Sequence, residues 1–298
     1  MRALFAILML MLAQPVWAAT PRDRLVVSPA WVTKRLGDPN LVILQVGDKA
    51  GYEAGHIPGA RLLALSDIAA PSTGPDALIL QMPDPEALRA RLAAFGVSDK
   101  SRIVVYPTRE GIQAATRVVF TLDAAGLGKR TFLLEGGMSA WTASGGKAST
   151  EVAAVTPGKL STLKMRPLVV DAAFVREHTG KPGFVVVDAR APDFYSGGRA
   201  GGSPSKPHKT GHIAGAQSVP FVSVTTPDLK LAPADEIAAK FKAAGVKAGD
   251  TVVAYCHVGQ QASATIFAAR SLGLKVLLYD GSFEEWSRLD GAVETSNP

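Results

Sequence analysis

Thr251-Val-Val-Ala-Tyr255-Cys256-His-Val-Gly259-Gln-Gln-Ala262 passes from an apolar, β-branched strand signal directly into a helix-forming stretch. Between a strand over 251–255 and a helix over 263–272 only about six residues are left for the loop, so successive backbone N–H groups have to curl round the residue that opens the turn. That residue is Cys256, the single cysteine of the chain. A sulfur at the strand-to-helix switch of an α/β sheet sits where such folds place ligands. The positive end of the helix and its unpaired amides are expected to lower the thiol's pKa. An unperturbed thiol is only ~3% ionised at neutral pH, and favouring the thiolate by about 2.7 kcal/mol would make it the majority form. Cys256 is therefore the candidate nucleophile; the plainer alternative is a buried structural cysteine.

Cys256 to Ala262, with Gly259 three residues past the cysteine, resembles the active-site loop of the rhodanese family of sulfurtransferases. Gly211-His-Ile-Ala-Gly-Ala216 upstream and Tyr279-Asp-Gly281-Ser-Phe-Glu-Glu-Trp286 downstream resemble two further family motifs, in family order. The set recurs in the first half without the cysteine, as Gly55-His-Ile-Pro-Gly-Ala60, Tyr106-Pro-Thr-Arg-Glu-Gly111 and Leu134-Glu-Gly-Gly-Met-Ser-Ala-Trp141. The whole chain is similar to the tandem rhodaneses of the thiosulfate or 3-mercaptopyruvate sulfurtransferase type. The resemblance implies an α/β fold of two tandem rhodanese-like domains, each a parallel sheet with helices on both faces. Alternating strand and helix signals in two matching halves point the same way. The expected division is a catalytically silent domain over 25–145, a linker over 146–166 and a catalytic domain over 167–298.

Ahead of these, Arg2, the apolar run from Ala3 to Ala13 and the small residues of Val16-Trp-Ala18 read as a signal peptide over 1–18. Export to a bacterial periplasm follows, and since the apolar run is too short to span a bilayer, no stable membrane anchor is expected. About 280 residues remain, 47% of the chain being hydrophobic, enough for two domains of roughly 130 residues with a core each. One cysteine cannot form an intramolecular disulfide, so packing has to hold the fold. The net charge of +6 comes with no long Lys/Arg run and no basic strip interleaved with aromatics, which argues against nucleic acid. A mildly basic surface suits either attraction of a small anion or ordinary solubility.

The halves match element by element. Ser28-Pro29 reads as a helix N-cap followed by proline at the first helical position, and Asp171 caps the corresponding helix. Strands are expected over 41–46 and 184–187, then 102–106 and 251–255, with amphipathic helices over 84–95 and 233–244. His56 and His212 sit in glycine-flanked turns of both halves, one of which lacks the cysteine, so they read as structural hydrogen-bonding groups. Trp141 and Trp286 read as core anchors. The second half also carries an insertion, Ser196 to Thr210, rich in Gly and Pro and bearing Arg199, Lys206, His208 and Lys209. It lines the substrate entrance or is a solvated loop.

The resemblance implies the chemistry. Cys256 takes the outer sulfur of a small anionic donor, thiosulfate or 3-mercaptopyruvate, and passes it from a persulfide to a thiol or cyanide acceptor, with no metal or organic cofactor. By the same resemblance His257, Val258, Gly259, Gln260, Gln261 and Ala262 supply the anion cradle, and Asp188 and Arg190 hold the loop or the donor. His257 and Val258 match neither the cationic residues usual after the cysteine in thiosulfate-type members nor the small ones of mercaptopyruvate-type members. His257 is either cationic or merely exposed. A non-enzymatic persulfide carrier or partner-binding module is the competing reading. A cysteine phosphatase is a further one, but it needs an arginine six residues past the cysteine, where Ala262 stands and Arg270 lies two turns beyond.

Overall fold

The computed structural model describes residues 20–108, 111–289 and 291–296. The signal peptide expected over 1–18, and Arg109 and Glu110 of the first-half motif, lie outside the described residues.

In the first half the chain runs through β1 (Val26–Val27), α1 (Pro29–Thr33), β2 (Leu41–Val46), α2 (Lys49–Glu53), β3 (Arg61–Leu63), α3 (Pro85–Ala94), β4 (Arg102–Pro107), α4 (Ile112–Ala124), β5 (Thr131–Leu134) and α5 (Gly137–Ala143). Its five strands form one sheet in the order β1-β5-β4-β2-β3, all parallel. The second half adds β6 (Val169–Val170), α6 (Ala172–His178), β7 (Phe184–Asp188), α7 (Pro192–Ser196), β8 (Gly202–Ser203), β9 (Lys206–Pro207), β10 (His212–Ile213) and β11 (Gln217–Ser218). It closes with α8 (Ala234–Ala243), β12 (Thr251–Tyr255), α9 (Gln260–Ser271), β13 (Lys275–Tyr279), α10 (Ser282–Arg288) and β14 (Val293–Glu294). The main sheet has the order β11-β7-β12-β13-β6, again all parallel, so the two sheets repeat one topology.

Local chemistry explains the elements. Val and Ile fill the central strands β2, β4 and β12, whose inner residues are fully buried, as a sheet covered on both faces requires. Ser28 and Asp171 cap α1 and α6 through the amides of Trp31 and Phe174. Trp141 and Trp286 each bury the ring and donate Nε1–H to a backbone carbonyl, of Lys147 at 2.9 Å and Ala292 at 3.0 Å. His56 binds the Tyr52 and Glu151 carbonyls through its two ring nitrogens, and His212 binds the Tyr195 carbonyl. Both are closing pins of their turns.

The halves are joined by packing α4 against α9, whose buried faces belong to one apolar cluster containing Val118, Leu122, Ile266 and Phe267. The helix carrying the cysteine loop therefore rests on the first half. Among the described residues no helix is long and apolar enough to cross a membrane, and no group of three or more His, Cys, Asp or Glu is placed to hold a metal.

Candidate active site

Cys256 follows the last residue of β12, at the C-terminal edge of the sheet. Gly259 adopts φ +81°, ψ −6°, a left-handed conformation that glycine enters without strain, and this lets α9 start at Gln260. The helix thus begins three residues earlier than the expected 263, and the loop shrinks to Cys256–Gly259. The shorter loop is what aims amides at the sulfur. The N–H groups of Ala262, Val258, Gln261 and Gly259 lie toward it and favour its thiolate.

The expected lowering of the thiol's pKa is overturned. Cys256 is 0% exposed, and burial pushes the thiol up, with the four amides pulling back without cancelling it. The amides can be counted in the sequence, but the burial of the sulfur cannot. α10 packs on the backbone of the loop. Phe283 N–H donates to the Cys256 carbonyl at 2.9 Å and Glu284 N–H to the His257 carbonyl at 3.0 Å. Cys256 N–H itself donates to Ser282 Oγ at 3.3 Å.

Of the residues named from sequence, Val258, Gly259, Gln261 and Ala262 supply amides that favour the thiolate. Asp188 and Arg190 lie in the adjoining strand end, almost wholly buried. Arg190 Nε is 3.0 Å from both Asp188 oxygens, and Nη2 reaches Asp188 Oδ2 at 2.5 Å and the Gly211 carbonyl at 2.7 Å. Burial opposes the Arg190 charge, but the Asp188 carboxylate outweighs it and raises the pKa. Its Cζ also stands 3.9 Å from the centroid of the Phe283 ring. These two residues hold the Gly211 turn and α10.

Above the loop is a cavity of about 470 Å³. His257 and Val258 form its floor, Gly202, Ser203, Lys206 and His208 of the insertion one wall, and Ser72 to Ile79 of the first half the other. The insertion thus lines this cavity. His257 is neither cationic nor freely exposed: burial first, then the charge of Arg190, push its pKa down to about 4. The His208 ring lies 5.7 Å away, its pKa also lowered by burial, and Gly201 fits against both imidazoles with no room for a Cβ. Arg288 closes the far side through the Asp76 carbonyl at 2.8 Å and Glu284 at 2.6 Å. Ser282, Phe283 and Glu284 lie inside a motif legible in the sequence, but nothing there signals that they bond the backbone of Cys256 and His257.

Arg270, the nearest downstream arginine, pairs with Asp123 of the first half at 3.0 Å and does not reach the loop. The clamp a phosphoryl group needs is absent among the described residues. What the geometry offers is a buried thiol ringed by main-chain donors under a two-walled cavity.

Comparison with known proteins agrees with this geometry. The Rhodanese-like domain family model matches residues 28–144 and again 171–289. A probable 3-mercaptopyruvate sulfurtransferase of Pseudomonas aeruginosa is 31% identical over 85% of this chain and 91% of that protein. A putative thiosulfate sulfurtransferase of Synechococcus elongatus is 30% identical over 96% of this chain and 91% of that protein. Among solved structures, the anaerobic ergothioneine biosynthesis enzyme of Chlorobium limicola superposes with a TM-score of 0.82 at 21% identity, covering 93% of this chain and 71% of that one, a likeness of fold alone.

Proposed function

This chain belongs to the rhodanese family, and from that premise we propose that Cys256 carries the transferred sulfur. The protein is a sulfurtransferase, moving sulfur from thiosulfate or 3-mercaptopyruvate to a thiol or cyanide. The observation that supports Cys256 as carrier is its place at the strand end of β12, where the left-handed Gly259 turns the loop into α9 and four amides favour the thiolate.

Once deprotonated, the thiol attacks the outer sulfur of thiosulfate. A bond forms between Sγ and that sulfur, the S–S bond of the donor breaks, and sulfite leaves with the electron pair. The acceptor then attacks the terminal sulfur of the persulfide, and the electron pair of the cleaved S–S bond returns to Cys256 as thiolate. Each step places negative charge on sulfur inside the ring of amides, fixed dipoles that need no reorganisation. Two half-reactions through a covalent intermediate give ping-pong kinetics. His257 is neutral in this scheme and provides no cation, so the donor's charge is met by main-chain dipoles. The cavity of about 470 Å³ is far larger than thiosulfate and leaves room for the acceptor.

The first half is catalytically silent in this reading, since Pro107 stands where Cys256 stands in the second. The basic, apolar and small-residue pattern of 1–18 supports export to a periplasm, which sequencing the mature N-terminus would check. Incubation with thiosulfate should add one sulfur atom to Cys256, seen by intact mass and removed by cyanide. Sulfur transfer by Cys256→Ser would defeat the assignment. Matched assays with thiosulfate and 3-mercaptopyruvate decide the preferred donor.

A further inference from the structure

Resting on the reading of Cys256 as the reacting group, we propose that Arg117, a residue of the silent half, is a positioning residue for the sulfur-transfer loop. Arg117 lies in α4 and is wholly buried. Its Nη1 donates to Asp280 Oδ1 at 2.8 Å and its Nη2 to the Leu80 carbonyl at 2.5 Å. The same Nη1 stands 2.7 Å from where a Cβ on Gly259 would be, and Asp280 Oδ1 stands 3.3 Å from it. Gly259 is the left-handed residue that turns the loop into α9, so guanidinium and carboxylate together form the wall on which that turn rests. A buried ion pair is a poor way to join two halves for stability alone. Its place behind Gly259 gives it another use.

The surroundings fix this pair tightly. Asp280 Oδ2 accepts the Met82 amide at 2.6 Å, and Gln81 Nε2 donates to the Asp280 carbonyl at 3.1 Å. Leu80, whose carbonyl takes Arg117, is held at φ +59°, a region leucine enters only where its neighbours dictate it. Two residues past Asp280, Ser282 is also left-handed at φ +52°, and it accepts the Cys256 amide. A displacement of Asp280 therefore reaches both ends of the reactive loop, Gly259 through Arg117 and Cys256 through Ser282 and Phe283. The amides around the sulfur lie between these anchors. Misplacement by about 1 Å at a reacting group costs on the order of 100-fold in rate.

The test compares wild type with Arg117→Met, Arg117→Lys and Asp280→Asn, the last almost unchanged in volume. Thermal unfolding, the pH profile of Cys256 alkylation by iodoacetamide, and kcat and KM for thiosulfate with cyanide as acceptor are read for each. In folded Arg117→Met and Asp280→Asn, kcat falls roughly tenfold or more while KM changes by less than about threefold, and alkylation moves to higher pH as the amides lose alignment. Arg117→Lys, which keeps the charge but cannot serve Asp280 and Leu80 together, falls between them and wild type. A merely structural strut would lower the melting temperature and leave kcat per folded molecule and the alkylation profile unchanged; that result overturns the proposal. If Arg117→Met does not fold, Asp280→Asn and Arg117→Lys decide by the same criteria. Wild-type protein that alkylates at Cys256 but transfers no sulfur would instead sink the functional reading, and the alkylation profiles alone would then judge Arg117.

Discussion

Arg190 faces Asp188 with its Nε 3.0 Å from both carboxylate oxygens, and neither side chain is open to water. Taking away one partner leaves the other charge buried and unpaired, which costs about 3–5 kcal/mol. Asp188→Ala is therefore expected to shift the urea midpoint strongly. Arg190→Lys should fail to restore wild-type stability, because an ammonium cannot make the fork to Asp188 and also hold the Gly211 carbonyl. Midpoints within error of wild type for both would show that the pair does not brace the loop.

The pH dependence of sulfur loading follows from the buried thiol. Its pKa is raised, and only the thiolate reacts, so the reactive fraction grows as pH rises and is still growing above the range where an ordinary thiol has levelled off. Iodoacetamide alkylation and single-turnover loading from thiosulfate should climb together on the alkaline side. A rate already flat at pH 7 would mean the four amides outweigh burial.

His257 predicts an acid limb in stability. Unfolded, the imidazole takes up its proton near its ordinary value of 6.5; folded, it waits until about 4. As pH falls through that window the unfolded state binds the proton first, so the stability present above about pH 6.5 is lost progressively toward pH 4. The loss from this one group is roughly 3 kcal/mol. His257→Gln should flatten the wild-type decline in melting temperature between pH 6.5 and 4. Parallel declines in the two proteins would place the acid sensitivity elsewhere.

Strands, the repeated unit and the loop at Cys256 could be read from the sequence because each depends on residues adjacent in the chain: β-branched runs, Gly-His-Ile turns, a thiol between strand and helix. What escaped depends on residues far apart. The sulfur's raised pKa arises from its burial in the folded chain, and the backbone of its loop is held by Ser282, 26 residues on. His257 is neutral because burial, and then the charge of Arg190, disfavour its cation, and the His208 ring that the insertion brings 5.7 Å away adds to this. Arg117 lies in no motif, and its role comes from a contact with Asp280 163 residues away. The start of α9 differs from the expected 263 because the left-handed turn at Gly259 lets the helix begin at Gln260.

The first half tests how much of the site its partner needs. Tyr106 donates its hydroxyl to Gln45 Oε1 at 2.5 Å and accepts the Ile57 amide at 3.0 Å, as Tyr255 accepts the Ile213 amide at 3.0 Å. Aligning these tyrosines sets Pro107 against Cys256 and, through the strand register, Gln45 against Asp188 and Gly47 against Arg190. At these three positions the first half has proline, glutamine and glycine in place of nucleophile, carboxylate and guanidinium. Thr108 fills the vacated space: its Oγ1 lies 2.0 Å from where a Cβ on Gly47 would be, and among the described residues that buried hydroxyl has no hydrogen-bond partner. An unpartnered buried hydroxyl costs about 1–3 kcal/mol. Thr108→Ala should therefore leave kcat for sulfur transfer unchanged and the melting temperature equal or slightly higher. A hundredfold fall in kcat, about 2.7 kcal/mol of barrier, would mean that the first half takes part in the chemistry and not only in holding Arg117 in place.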